Sequence, residues 1–334
     1  MKYRMTNRGK AFIAVFVFII IIPICLIFTN SKPESVSVQN TSVNTTSETS
    51  VSTTSITSAV PSFVSSTKDV TVIPERISGC SSALVYSLEN DKILFSQDIG
   101  RMTAPASLTK LLTACTALEY LQPQTICTAG SELFLVQPDS SLCYINQGQQ
   151  ISAEHLITGM IMASGNDAAY TLAVNTVRNY YPDIYMTDNQ AVECFCGFMN
   201  DFASEIGMNS SNFVNPDGWD NTDQYTTAYD LCLLARYALT VPEIRNAASC
   251  YEKQITINSG EVFTWHNSNK FLDPYSEFYN ENVTGLKTGT TLNAGNCLIS
   301  VFEKNGMTFL CAVTGCATDY ERYNLTLRLI NEYT

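Results

Sequence analysis

Apolar and polar residues alternate in different ways along the chain, and each pattern predicts a different element. Ala11–Phe28 is an uncharged apolar run of 18 residues behind a basic stretch. That is the pattern of a secretory signal or a short membrane span. Residues 31–68 lose all periodicity; 20 of these 38 positions are Ser or Thr, too few apolar groups to bury, so the segment predicts a solvated tether. From about residue 73 regular patterns begin. Ala83–Ser87 and Lys92–Ser96 flank Glu89-Asn90-Asp91 and predict a β-hairpin. Ser107–Leu118, with Pro105 just ahead, predicts a helix. In Ala153–Met162, Leu156, Ile157, Met160 and Ile161 fall on one helical face. Thr227-Ala228-Tyr229-Asp230 predicts a capping box before a helix over Leu231–Leu239.

Near the end, Cys297–Phe302 and Thr308–Val313 flank Lys304-Asn305-Gly306, a strong hairpin signal. Both strands are apolar on both faces, so they should be central and covered by helices. Tyr323–Glu332 predicts a last helix. Strands therefore occupy both ends of this region and helices its middle. The expected fold class is α+β: an antiparallel sheet made from both chain ends, flanked by helices, with a helical insertion. Three segments result: residues 1–30 as signal peptide or N-terminal membrane anchor, 31–72 as a Ser/Thr-rich disordered tether, and 73–334 as the folded domain. A coil of the tether's length spans roughly 35 Å root-mean-square. No clear cleavage site follows the apolar run, which favours an uncleaved anchor over a removed signal.

Charge and composition narrow the function. The net charge is −12, yet Lys2, Arg4, Arg8 and Lys10 sit among the first thirty residues with no acid beside them. The positive flank places the N-terminus in the cytoplasm and the rest of the chain outside. The remaining body is strongly acidic and repels phosphate backbones, so nucleic acid is not an expected partner. The only histidines are His155 and His266, without a His-x-x-x-His pair, and none of the twelve cysteines forms Cys-x-x-Cys. Neither a metal site nor a redox motif is signalled. The cysteines read as small buried apolar residues, Cys297 among them, and the histidines as a surface residue (His155) and a structural one (His266).

Three short segments carry chemistry. In Ser107-Leu108-Thr109-Lys110 a hydroxyl and an amine at i and i+3 share one helical face. With histidine so scarce, lysine is the next candidate base for a serine nucleophile, provided burial and positive potential lower its pKa. Alone the motif means little, because Ser65-Ser66-Thr67-Lys68 repeats it in the tether. Its setting after a hairpin and before an apolar helix distinguishes Ser107. Ser164-Gly165-Asn166 sits at a break between two apolar helical stretches, where a loop can present a hydroxyl and a carboxamide, or simply cap a helix. Lys287-Thr288-Gly289-Thr290 precedes the apolar hairpin. A lysine and hydroxyls there suit a carboxylate, and the glycine permits close approach of a ligand; a lysine-protected edge strand is the plainer reading.

Taken together and in this order, the three segments match the signature set of penicillin-recognising enzymes. Over roughly residues 80–332 the chain resembles the low-molecular-mass serine D-alanyl-D-alanine carboxypeptidases of peptidase family S11. Ala104–Lys110, Phe198–Met208, Asn212–Gly218, Thr227–Leu231, Asn267–Lys270 and Gly285–Thr291 with Ala294–Cys297 carry the resemblance. It implies the β-lactamase/transpeptidase-like fold. It also implies an enzyme without metal or cofactor that removes the terminal D-Ala from peptidoglycan stem peptides ending in D-Ala-D-Ala. On that reading Ser107 is the nucleophile and Lys110, kept neutral partly by Lys287, its base. Ser164 and Asn166 relay a proton and orient Lys110 and substrate. Lys287, Thr288, Gly289 and Thr290 hold the terminal carboxylate, and backbone N–H groups of Ser107 and Thr290 hold the oxyanion. β-Lactams would trap the same serine.

The departures are few. Asp217 stands where a histidine is expected, Trp219 follows the glycine, and His266 precedes the asparagine run. Because the sequence stops soon after the last helix, the C-terminal β-rich domain and amphipathic anchor of many relatives are not expected here, and the N-terminal segment is expected to anchor the enzyme. Two other readings compete. A class A-like β-lactamase would need a Glu-x-x-Leu-Asn stretch between the second and third segments; Glu193 and Glu205 lie in that interval without it. A non-catalytic wall-binding protein on the same fold would not need Ser107, Lys110, Ser164 and Lys287 intact.

Overall fold

The structure is a computed structural model that describes residues 76–334, all inside one compact unit. Residues 1–72, expected to form a signal or anchor and a tether, lie outside the described residues. A five-stranded antiparallel sheet has the order β2-β1-β9-β8-β7, formed by β1 (Ser82–Ser87), β2 (Lys92–Gln97), β7 (Val283–Thr291), β8 (Gly295–Lys304) and β9 (Met307–Cys316). The two chain ends thus meet where β1 pairs with β9, Ser82 opposite Thr314 and Ser87 opposite Phe309. Both predicted hairpins are present. The second turns on Asn305 and Gly306, both at positive φ (53° and 75°), the backbone of a tight primed turn that suits the strand twist.

The strands that are apolar on both faces are indeed central. Along β9, Leu310 and Ala312 join one core, whereas Phe309, Cys311 and Val313 join another, as a period of two requires. The first core is covered by the insertion: α1 (Thr109–Tyr120), α2 (Ala153–Met162), α3 (Asn166–Tyr180), α4 (Asp188–Glu205), α5 (Ala228–Ala238) and α6 (Pro242–Ala248). The second is covered by α7 (Asp319–Tyr333), through Tyr323, Leu329 and Ile330. Two further hairpin-like pairs, β3 (Ile126–Thr128) with β4 (Gln150–Ser152) and β5 (Glu252–Thr256) with β6 (Val262–His266), decorate the insertion.

Local signals explain most boundaries. A 3₁₀ turn over Ala106–Leu108 feeds α1, every residue of which from Thr109 to Ala117 is buried, so α1 is the axis of the helical layer. Thr227 caps α5 by accepting from the Asp230 amide, but the predicted box is not reciprocal. The Asp230 carboxylate turns instead to the Ser210 amide and the Ser211 hydroxyl. Thr318 and Glu321 form a reciprocal box and start α7 four residues earlier than predicted. The same device, Thr187 with Gln190, starts α4.

Eight of the eleven described cysteines are buried and all eleven are free, as packing residues should be. Cys297 is among the fully buried ones. His155 is not the surface residue expected. It is half-buried, its Nδ1 lacks a partner among the described residues, and burial pushes its pKa down. His266 closes the β5–β6 pair, with Nε2 2.7 Å from Glu252 Oε2. Among the described residues no helix is long and apolar enough to cross a membrane.

Candidate active site

Ser107 lies in the 3₁₀ turn and Lys110 in the first turn of α1. Their i, i+3 spacing brings Lys110 Nζ to 2.8 Å from Ser107 Oγ. The turn is bent by Ala106, at φ 48°, a left-handed conformation that a non-glycine residue holds only under constraint. Two glycines supply that constraint. A Cβ on Gly218 would meet Ala106 O at 1.9 Å, and one on Gly289 would meet Ser107 N at 3.1 Å. The loop 215–219 and strand β7 therefore clamp the serine from opposite chain segments, and β7 runs beside the Ser107 amide.

The 215–219 loop is also tied to α1. Lys110 Nζ donates to Asp217 O at 2.5 Å and Thr113 Oγ1 to Pro216 O at 2.6 Å. Asn215 closes the loop by accepting from the Gly218 amide. Lys110 is fully buried, and burial lowers its pKa to about 8 against the opposing pull of Asp217. Desolvation is the largest cause of the lowered Lys110 pKa, and the two buried lysines also repel each other, as the shift at Lys287 records.

Ser164 stands at φ 59° between α2 and α3, and Lys287 Nζ donates to its hydroxyl at 3.0 Å. Asn166 opens α3, and its Nδ2 donates to Ser140 Oγ at 2.9 Å. It is held by the 140–145 loop rather than by Lys110. The neighbouring Asp167 fixes that loop by accepting from the Cys143 and Ile145 amides. Lys287 is 1% exposed. Burial, with Lys110 and Arg322 nearby, holds its pKa well below the ordinary lysine value. An arriving carboxylate is the counter-charge such an amine lacks. Thr288 shares a 2.7 Å hydrogen bond with Ser268, whose amide donates to Met162 O, so the Asn267–Lys270 segment ties β7 to the end of α2.

Three contacts link the sequence-derived positions: Lys110 with Ser107, Gly289 against the Ser107 amide, and Lys287 with Ser164; Thr290 is exposed and Gly289 buried. Two contributors were not singled out for the site. Arg322 reaches from α7 and donates to Gly289 O, Thr290 Oγ1 and Cys297 O at 3.0–3.2 Å. Only its place three residues after Asp319, with which it pairs, hints at a fixed side chain. Asp217 was noted only as a departure.

A profile of the D-alanyl-D-alanine carboxypeptidase family matches residues 68–318. The chain belongs to this family. It is 27% identical over 244 residues to D-alanyl-D-alanine carboxypeptidase DacF of Bacillus subtilis (strain 168), covering 72% of this chain and 58% of that one. To DacC of Escherichia coli (strain K12) it is 31% identical over 257 residues, covering 74% and 59%. The chain therefore spans less than two thirds of these curated relatives. The fold is that of the Streptomyces K15 DD-transpeptidase, at a TM-score of 0.69 and 22% identity over 78% of this chain and 98% of that one. Penicillin-binding protein D2 from Listeria monocytogenes, solved in its ampicillin-bound form, superposes with a TM-score of 0.62 at 27% identity, covering 78% and 99%.

Proposed function

We propose that the protein is a serine D-alanyl-D-alanine carboxypeptidase that trims peptidoglycan stem peptides and is acylated by β-lactams. The observation that carries this reading is the buried Lys110 amine 2.8 Å from Ser107 Oγ. A lysine whose pKa is lowered to about 8 can accept the serine proton near neutral pH.

Lys287, with Thr288 and Thr290, receives the terminal carboxylate through charge-assisted hydrogen bonds. Ser107 Oγ then bonds to the penultimate carbonyl carbon while its proton passes to Lys110. The amides of Ser107 and Thr290 receive the oxyanion; a donor of this kind is worth about 3–4 kcal/mol in the transition state. The C–N bond breaks as a proton reaches the departing D-Ala nitrogen by way of Ser164. Asn166, held by Ser140 and the 140–145 loop, lines the substrate's path. Water then hydrolyses the ester, Lys110 again serving as base. The substrate lies outside the cytoplasm, and the apolar segment Ala11–Phe28 with its tether would hold the domain at the membrane surface.

Fluorescent penicillin tests the nucleophile. The wild type should be labelled and Ser107→Ala should not; equal labelling of both would move the nucleophile elsewhere. Rapid penicillin turnover without release of D-alanine from peptide would instead mark a β-lactamase.

A further inference from the structure

Asp217 occupies a position where the family resemblance implies histidine, and its surroundings are those of a working group. It is 1% exposed. Its carbonyl accepts from Lys110 Nζ, and its Oδ1 accepts from the Trp219 amide at 3.2 Å. Its Oδ2 is buried and meets no donor in full hydrogen-bond geometry among the described residues, the neighbouring Asn166 side chain giving the carboxylate only partial support. A buried carboxylate oxygen left unpaired is destabilising. The backbone beside it is held in place, because Gly218 lies directly against Ala106.

The groups facing Asp217 come from three helices: Lys110 on α1, Asn166 and Tyr170 on α3, and Cys196 on α4. Lys110 itself also faces Cys143 and Asp167, with Asp217 the foremost of its negative neighbours. It is also felt by Lys287. Burial raises the pKa of Asp217 and Lys110 pulls it back down.

We propose that Asp217 is a positioning residue for the base: its carbonyl aims the Lys110 amine at Ser107, and its carboxylate favours the ammonium form, setting the pH at which Ser107 becomes reactive. The inference rests on the reading of Lys110 as base. An ammonium group cannot take the serine proton, so the acylation rate climbs with pH as Lys110 deprotonates. A carboxylate beside it moves that climb to higher pH; a neutral amide in its place moves it lower.

The test is the second-order rate of acylation by fluorescent penicillin between about pH 5 and 10, for wild type, Asp217→Asn and Asp217→Glu. Asp217→Asn should move the acid limb down by about one pH unit or more. At about pH 6 its rate, as a fraction of its own plateau, would then be about tenfold that of the wild type. Asp217→Glu, which keeps the charge, should retain a limb near that of the wild type. A folded Asp217→Asn variant whose whole curve drops while the limb stays in place overturns the proposal and leaves Asp217 a loop-shaping residue. Should thermal melts show that variant unfolded, [ε-13C]lysine spectra of the wild type decide. The Lys110 resonance should titrate in two steps, one following Asp217 ionisation, and a single step overturns the proposal. A wild type that is never acylated would defeat the serine–lysine reading itself, whereas an acylated wild type with an unmoved variant limb would defeat this inference alone.

Discussion

The polar cluster around Ser107 and the apolar layer under α7 are both largely buried but are built on opposite rules. Under α7, Phe302, Phe309 and Tyr323 pack with Val85, Phe95 and Leu329, and Phe271 meets Tyr323 edge-on with ring centroids 4.9 Å apart. Each apolar group there removes its neighbour from water, so every contact favours the fold. In the polar cluster, Lys110, Lys287, Asn166 and Asp217 are all at least nine-tenths buried, and Ala106 and Ser164 hold left-handed backbone conformations. Burying cations with incomplete partners and bending non-glycine residues both oppose folding. A fold retains such features where they serve chemistry, and the apolar layer supplies the stability that makes them tolerable.

The comparison breaks most sharply at Lys110. Lys110→Ala removes a buried cation and the base together. Acylation of the folded molecules should fall by about 10²–10⁴-fold, and the thermal midpoint should fall too, because the buried Asp217 carboxylate and carbonyl lose their cationic partner. A large loss of stability with the rate of the folded fraction intact would put Lys110 in the same class as the apolar layer. The converse variant is Phe302→Ala, in a side chain 2% exposed on the far side of the sheet. It should cost about 3–5 kcal/mol in denaturant unfolding and leave the acylation rate of folded molecules unchanged. A selective loss of rate would mean that the two regions are coupled.

The same contrast separates what could be read from the sequence from what could not. The apolar strands of the last hairpin, the turn at Asn305-Gly306 and the stripe on α2 are local patterns, and each fixed its element. Ser107 with Lys110 was legible because a single helical turn sets their distance. Ser164 and Lys287 became legible only as members of a set, because their 3.0 Å contact joins residues far apart in the chain. Arg322 and Asp217 stayed hidden as contributors. Arg322 works through α7 reaching beneath β7, and Asp217 through a loop clamped by Gly218, and neither approach leaves a periodic trace. The helix α4 could have been anticipated from Thr187-Asp188-Asn189-Gln190, a reciprocal cap of the kind that also opens α7. The position of Asn166 was foreseen, but its partner was not, since Ser140 lies in a loop with no pattern of its own.

The most direct test of the account is release of D-alanine from diacetyl-Lys-D-Ala-D-Ala by the purified chain, with Ser107→Ala as control. The account predicts D-alanine from the wild type and none above background from the variant. A folded wild type that binds penicillin covalently yet frees no D-alanine, or a variant that frees as much as the wild type, would contradict it.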